Sequence, residues 1–101
     1  MVEVIWTKKA TSQLESAVRY LKKERGSFYA ELVLDKLLAT TRNLDKFPKM
    51  GSIEPFLDHK KSEYRFLVAW SYKIIYRVTK QKVVISRVFH TSQDPNKLKK
   101  L

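Results

Sequence analysis

The sequence predicts an α+β domain in the order β-α-α-β-β-β, with a helical hairpin packed on one face of a small, twisted, mostly antiparallel sheet and a short helical turn at the C-terminal end. Three observations predict it. Residues 7–46 carry apolar side chains at helical spacing, broken at Gly26. Residues 63–90 change to three runs of β-branched and aromatic composition, joined by connections short enough for hairpins. A chain of 101 residues, 44% hydrophobic and 12% aromatic, has room for one modest core, so residues 1–101 read as a single domain.

"VEVIW" (Val2 to Trp6) has strand composition. Ala10, Leu14, Ala17, Val18 and Leu21 then form one apolar helical stripe. Two starts fit this helix: Thr7 as N-cap, or Ser12 with Glu15 as a capping box. Gly26 ends it, and Ser27 can cap the next helix. Ala30, Val33, Leu34, Leu37, Leu38, Thr41 and Leu44 make a second stripe that stops before Pro48. Helices joined by one or two residues lie roughly antiparallel. "FPKMGSIEPFLDHKKS" (47–62), with two prolines, a glycine and little periodicity, reads as a long loop. Strands follow at about 63–69, 72–79 and 82–90, and Asp94-Pro95 can start a closing helical turn. Trp6 and Phe47 are most simply core residues.

Composition excludes several kinds of chemistry. Without cysteine there is no disulfide scaffold, no thiolate chemistry and no CxxC zinc site. His59 has Asp58 beside it, but two residues make no metal site, so no metal is expected. No phosphate-cradling glycine loop or nucleophile elbow is present, and no small-molecule cofactor is expected. The apolar runs are far too short to cross a bilayer. "MVEVIWTKK" lacks the pattern of a signal peptide. The expectation is a cytoplasmic protein with no membrane partner.

The formal net charge of +11 is unevenly spread. Residues 1–26 hold six Lys/Arg against three Asp/Glu, residues 27–62 six against five, and residues 63–101 nine against two. The strand-rich last third thus carries +7, a field suited to phosphates or to an acidic protein partner.

In "YRFLVAWSYKIIYRV" (Tyr64 to Val78), a hairpin tip at Trp70-Ser71 sets Arg65 opposite Tyr76 and Tyr64 opposite Arg77. Leu67, Ala69, Tyr72, Ile74, Tyr76 and Val78 then share an apolar face that covers the helices. A second turn at Lys80-Gln81 adds Val83, Ile85, Arg87 and Phe89 to that face. It leaves Lys73, Arg77, Ser86 and His90 together on the uncovered one, with Val84 and Val88. Arg77 either stacks on Tyr64 as a solvated strand residue or binds phosphate. Arg65 fits a rim or structural role, and Arg87 an ion pair at the sheet edge. The candidate nucleic-acid or partner-binding residues are Arg77, Arg87, Ser86 and Tyr64. His90 is the one histidine of that surface, and histidine is a side-chain type suited to proton transfer.

The ordered set "FPKMG", "YRFLVAWSYKIIYRV" and "VVISRVFH", preceded by a strand and two helices, resembles the RelE/ParE superfamily of type II toxin-antitoxin toxins over nearly the whole chain. The resemblance implies a small basic toxin of the kind found in plasmid-stabilisation modules, neutralised by an acidic, partly disordered cognate antitoxin. Two targets follow from it. In the RelE-like branch, a ribosome-dependent mRNA endonuclease (mRNA interferase), Lys73 matches the phosphate-stabilising site, Arg65 a second basic site and His90 the basic end of the last strand, so these three are the catalytic candidates. No aromatic residue follows Phe89, where many nucleases carry a C-terminal tyrosine, and Thr91 stands where a second basic residue is common. In the ParE-like branch the partner is DNA gyrase and no catalytic residues are established. "FPKMG", the helical hairpin and "RVFH" favour this branch, although "HTSQD" departs from its frequent arginine pair. Whether the chain is an enzyme therefore depends on the branch. A non-toxic basic nucleic-acid-binding module is the remaining reading.

Overall fold

A computed structural model describes residues 2–57 and 61–92. The Asp94-Pro95 turn and the Asp58-His59 pair lie outside the described residues. The elements are β1 (Glu3–Trp6), α1 (Lys8–Arg25), α2 (Ser27–Thr41), a 3-10 turn (Arg42–Asp45), β2 (Ser52–Ile53), a second 3-10 turn (Pro55–Leu57), β3 (Glu63–Ala69), β4 (Tyr72–Val78) and β5 (Lys82–His90). The five strands form one sheet in the order β1-β5-β4-β3-β2, antiparallel except where β1 pairs with β5. The α+β architecture expected from the sequence is the one observed.

Thr7 settles the start of α1: its hydroxyl accepts from the backbone N–H of Ala10 at 3.0 Å. Gly26, at φ 89°, closes α1 and opens α2. That left-handed backbone suits glycine and lets the two helices fold back on each other. Ser27 is the first residue of α2 rather than its cap, and no side chain caps that end. Along α2, Ala30, Val33, Leu37 and Thr41 are buried against the sheet. Leu38, expected in the same stripe, is exposed, while Leu44 is buried from the 3-10 turn.

Under the helices lie Ala69, Tyr72, Ile74, Tyr76, Val83, Ile85 and Val88. Full burial of a side chain such as Ile74 or Ile85 contributes about 1.5–3 kcal/mol. The β3–β4 register matches the expected one, with Tyr64 opposite Arg77 and Arg65 opposite Tyr76. Trp70 takes the left-handed region at the tip (φ 61°). Its indole N–H donates to the Tyr29 hydroxyl at 2.8 Å, tying the hairpin tip to α2.

The β4–β5 register differs from expectation beyond Tyr76. A β-bulge pairs Tyr76 with Ile85 and Ile75 with Arg87, leaving Ser86 as the extra residue. Every side chain after it changes face. Arg87 and Phe89 join the face away from the helices, whereas Val88 and His90 turn toward α1. The bulge forms where β1 ends and the chain turns into α1. There the Thr7 N–H donates to Ile85 O, the Thr7 hydroxyl to Ser86 O, and the Val88 N–H to Gln13 Oε1 at 2.8 Å.

Segment 47–62 is also more ordered than a plain loop. Its two-residue β2 pairs with β3, and Leu57 packs with Ile75 and Phe89, with Phe56, Tyr64 and Phe66 around them. This small second core covers part of the face expected to be open. Trp6 is partly buried against the main core, but Phe47 is 61% exposed.

Candidate functional site

The residues singled out from the sequence fall into three separate places. On the face away from the helices, β4 carries Lys73, Ile75 and Arg77, and β5 carries Val84, Arg87 and Phe89. The bulge brings Arg87 to the strand beside Arg77, with Tyr64 across from Arg77 on β3. Tyr64, Arg77 and Arg87 thus share a cationic surface. Burial pulls the Arg87 guanidinium below the ordinary arginine range, and Tyr64 opposes that shift. Arg87 Nη1 donates to Ser86 O at 2.8 Å, which orients the side chain. Ser86 itself is buried at the bulge, so its hydroxyl is not part of the surface.

Lys73 belongs to this face but its charge is taken. Its ammonium is ion-paired with the carboxylate of Glu54, a fully buried residue, and lies 4.2 Å from the centroid of the Phe66 ring. Glu54 Oε2 also accepts from the Phe56 N–H at 3.0 Å. The pair therefore clamps the turn Pro55–Leu57 onto the sheet. Breaking such a pair from one side strands a charge in the interior. Glu54 was not singled out by the sequence; its one signal is a lone carboxylate within the apolar stretch "IEPFL".

Arg65, a catalytic candidate in one reading and a rim or structural residue in the other, is held by neighbouring groups. Its Nε donates to Glu63 Oε2 at 2.6 Å, and its Nη1 to Gly51 O at 2.7 Å and Lys49 O at 3.3 Å. The hydrogen bond and charge of Arg65 hold the Glu63 carboxyl below its ordinary value.

His90 stands apart from both. It faces Tyr72 edge-on, with ring centroids 5.3 Å apart. Its Nδ1 accepts from the Ser92 N–H at 3.0 Å, which leaves Nε2 as the protonated nitrogen of the neutral ring. A groove of ≈ 510 Å³ opens here between α1 and the ends of β4 and β5, lined by Lys9, Ser12, Gln13, Tyr20, Tyr72 and His90 among others. Burial raises the Tyr72 phenol, with Tyr20 and Tyr29 adding to the shift.

The three catalytic candidates do not converge. Lys73 and His90 point to opposite faces of the sheet. Arg65 lies on the strand opposite Tyr76, and His90 opposite Tyr72, four residues away and so about 13 Å along β4. Among the described residues, no three His, Cys, Asp or Glu side chains gather in a way that could hold a metal ion. Among the same residues no helix is long and apolar enough to cross a membrane.

A protein-family model described as the ParE toxin of the type II toxin-antitoxin system, parDE, matches residues 4–95. Among solved structures, one described as the chromosomal ParDE toxin-antitoxin system from P. aeruginosa superposes with a TM-score of 0.75 at 20% identity, over 89% of this chain and 96% of that one. At that identity the likeness is one of fold. No curated protein matches the chain in sequence.

Proposed function

Because this chain belongs to the ParE toxin family of type II toxin-antitoxin systems, we propose that it arrests growth by binding DNA gyrase and is neutralised by a cognate antitoxin. The observation that carries this reading is the dispersal of its cations. RNA cleavage needs charge-stabilising groups and a proton-transfer group around one phosphate. Here Lys73 is neutralised by Glu54, Arg65 is bound to Glu63 and to the loop backbone, and His90 is on the other side of the sheet from Lys73. Arg77 and Arg87, by contrast, lie together on one face. An acidic antitoxin segment would meet complementary charge there, which raises association rates and favours one docking orientation.

The test is induction in a bacterium without the antitoxin, following labelled thymidine and labelled amino acid over the first minutes. Early loss of thymidine incorporation is expected, with His90→Ala as toxic as the parent. Early loss of amino-acid incorporation, abolished by His90→Ala, would replace this reading with ribosome-dependent mRNA cleavage.

A further inference from the structure

We propose, resting on the reading that toxicity comes from protein contact, that the segment Phe47–Ile53, a loop running into β2, is the surface that grips the target, its apolar side chains entering an apolar cleft on a folded protein. The loop does two opposite things. Its backbone is held by the interior: the Gly51 N–H donates to the hydroxyl of fully buried Tyr76, and Arg65 donates to the carbonyls of Gly51 and Lys49. Inside the loop the Met50 N–H donates to Phe47 O, and the Phe47 N–H to Asn43 O. Its large side chains nevertheless face water: Phe47 is 61% exposed, Met50 49% and Ile53 52%.

A single exposed apolar residue is ordinary, but three on one hydrogen-bonded segment match what interfaces use. Aromatic and methionine side chains are enriched at interface cores, and a few such anchors carry most of the binding energy. A loop ordered before binding loses little conformational entropy when it docks. Tyr76 and Arg65 supply that order from within the sheet.

Charge identifies the kind of partner. Around the loop Lys46, Lys49 and Arg65 stand with Asp45 and Glu63, the Glu63 carboxylate lying 2.6 Å from Arg65 Nε and 3.9 Å from Lys49 Nζ. A DNA backbone or an anionic bilayer rewards uncompensated cations, and those lie elsewhere, at Arg77 and Arg87. A rim of only one net positive charge around an apolar centre fits a protein surface, with Lys46 and Lys49 meeting carboxylates at the edge of its cleft.

The variants are Phe47→Ala and the triple Phe47→Ala/Met50→Ala/Ile53→Ala, made in the full chain. Four readouts apply: thermal melting, growth arrest on induction, neutralisation by the antitoxin, and inhibition of supercoiling by purified gyrase. The triple variant should melt as the parent does, still be bound by the antitoxin, and no longer arrest growth. Its half-inhibitory concentration against gyrase should rise roughly 30-fold or more, with Phe47→Ala giving about tenfold. A parent that arrests growth without inhibiting gyrase removes the gyrase assignment, while loss of arrest in the triple variant would still support the loop as the target contact. Arrest undiminished in a folded triple variant overturns the inference. So does loss of antitoxin binding with toxicity kept. Parent-specific binding of duplex DNA or phosphatidylserine vesicles that the triple variant lacks would also overturn it. A parent that does not arrest growth at all overturns both readings.

Discussion

The Tyr76 hydroxyl accepts a hydrogen bond from the Gly51 N–H at 2.9 Å, across 25 residues of sequence. A β4 side chain in the centre of the core thereby holds the backbone of a surface loop. A Cβ added at Gly51 would sit 2.5 Å from Phe66 O and 2.6 Å from the Tyr76 oxygen. Gly51→Ala must push this backbone outward, at a cost of about 1–3 kcal/mol. Its melting temperature should fall by several degrees, and growth arrest should weaken even in the fraction that stays folded. A variant with unchanged melting would show that the close approach does not exist in solution.

Tyr76 also makes the fold sensitive to alkali. Burial raises its pKa above the ordinary 10.0, with the Gly51 N–H pulling the other way, and burial raises Tyr72 as well. A raised folded-state pKa means stability fully present below about pH 10 and lost as pH rises from there through the folded value. Urea midpoints should fall steeply above pH 10. Tyr76→Phe should flatten that fall, while leaving the buried Gly51 N–H without its partner at a cost of about 1–3 kcal/mol at neutral pH. Equal slopes for parent and variant would exclude Tyr76 as a source.

Glu63 gives the opposite dependence at the acid end. Its pKa is lowered, chiefly by the hydrogen bond from Arg65, so its contribution is present above the ordinary value of 4.5 and lost as pH falls through the folded value. Glu63→Gln should lose part of the acid-side slope of a stability profile between pH 6 and pH 3. A profile that keeps the whole slope would mean the Arg65 contact adds nothing in solution.

Lys73→Ala is expected to destabilise by about 3–5 kcal/mol, because it leaves the buried Glu54 carboxylate uncompensated. Lys73→Met combined with Glu54→Leu, which replaces the pair with apolar groups of similar size, should recover most of that loss. Denaturant midpoints of the two variants decide it. Failure of the double variant to recover would point to a requirement for the charges themselves. Loss of toxicity in Lys73→Ala alone would thus report folding before it reported chemistry.

Thr7→Ala removes both the cap on Ala10 and the bond to Ser86 O. The cap alone is worth about 1 kcal/mol, so a shift of several degrees in melting temperature is expected. No shift would place the helix start elsewhere.

Local pattern sufficed for the two helices, the four longer strands and one hairpin, but not for β2 or the 3-10 turns. Apolar spacing located α1 and α2, and Gly26 between them could be read directly, because helix periodicity and a left-handed joint are properties of neighbouring residues. The β3–β4 register followed only from placing the tip at Trp70-Ser71, since a one-residue slip exchanges the faces; the observed pairing is the one that tip gives. By itself the sequence determined the fold class, the helical hairpin, the basic last third and the family resemblance. The face occupied by Arg87 and His90 was decided by tertiary structure. "VVISRVFH" has apolar residues in both strand phases, so its pattern accommodates a bulge or none, and contacts from Thr7 and Gln13 select the bulge at Ser86. Tertiary structure likewise decided that Lys73 is answered by Glu54, 19 residues away, and that Phe47 stands in solvent. A hydrophobic residue in a sequence specifies only its cost in water. Whether a loop turns it inward depends on backbone bonds, here those of Tyr76 and Arg65, made with residues far along the chain.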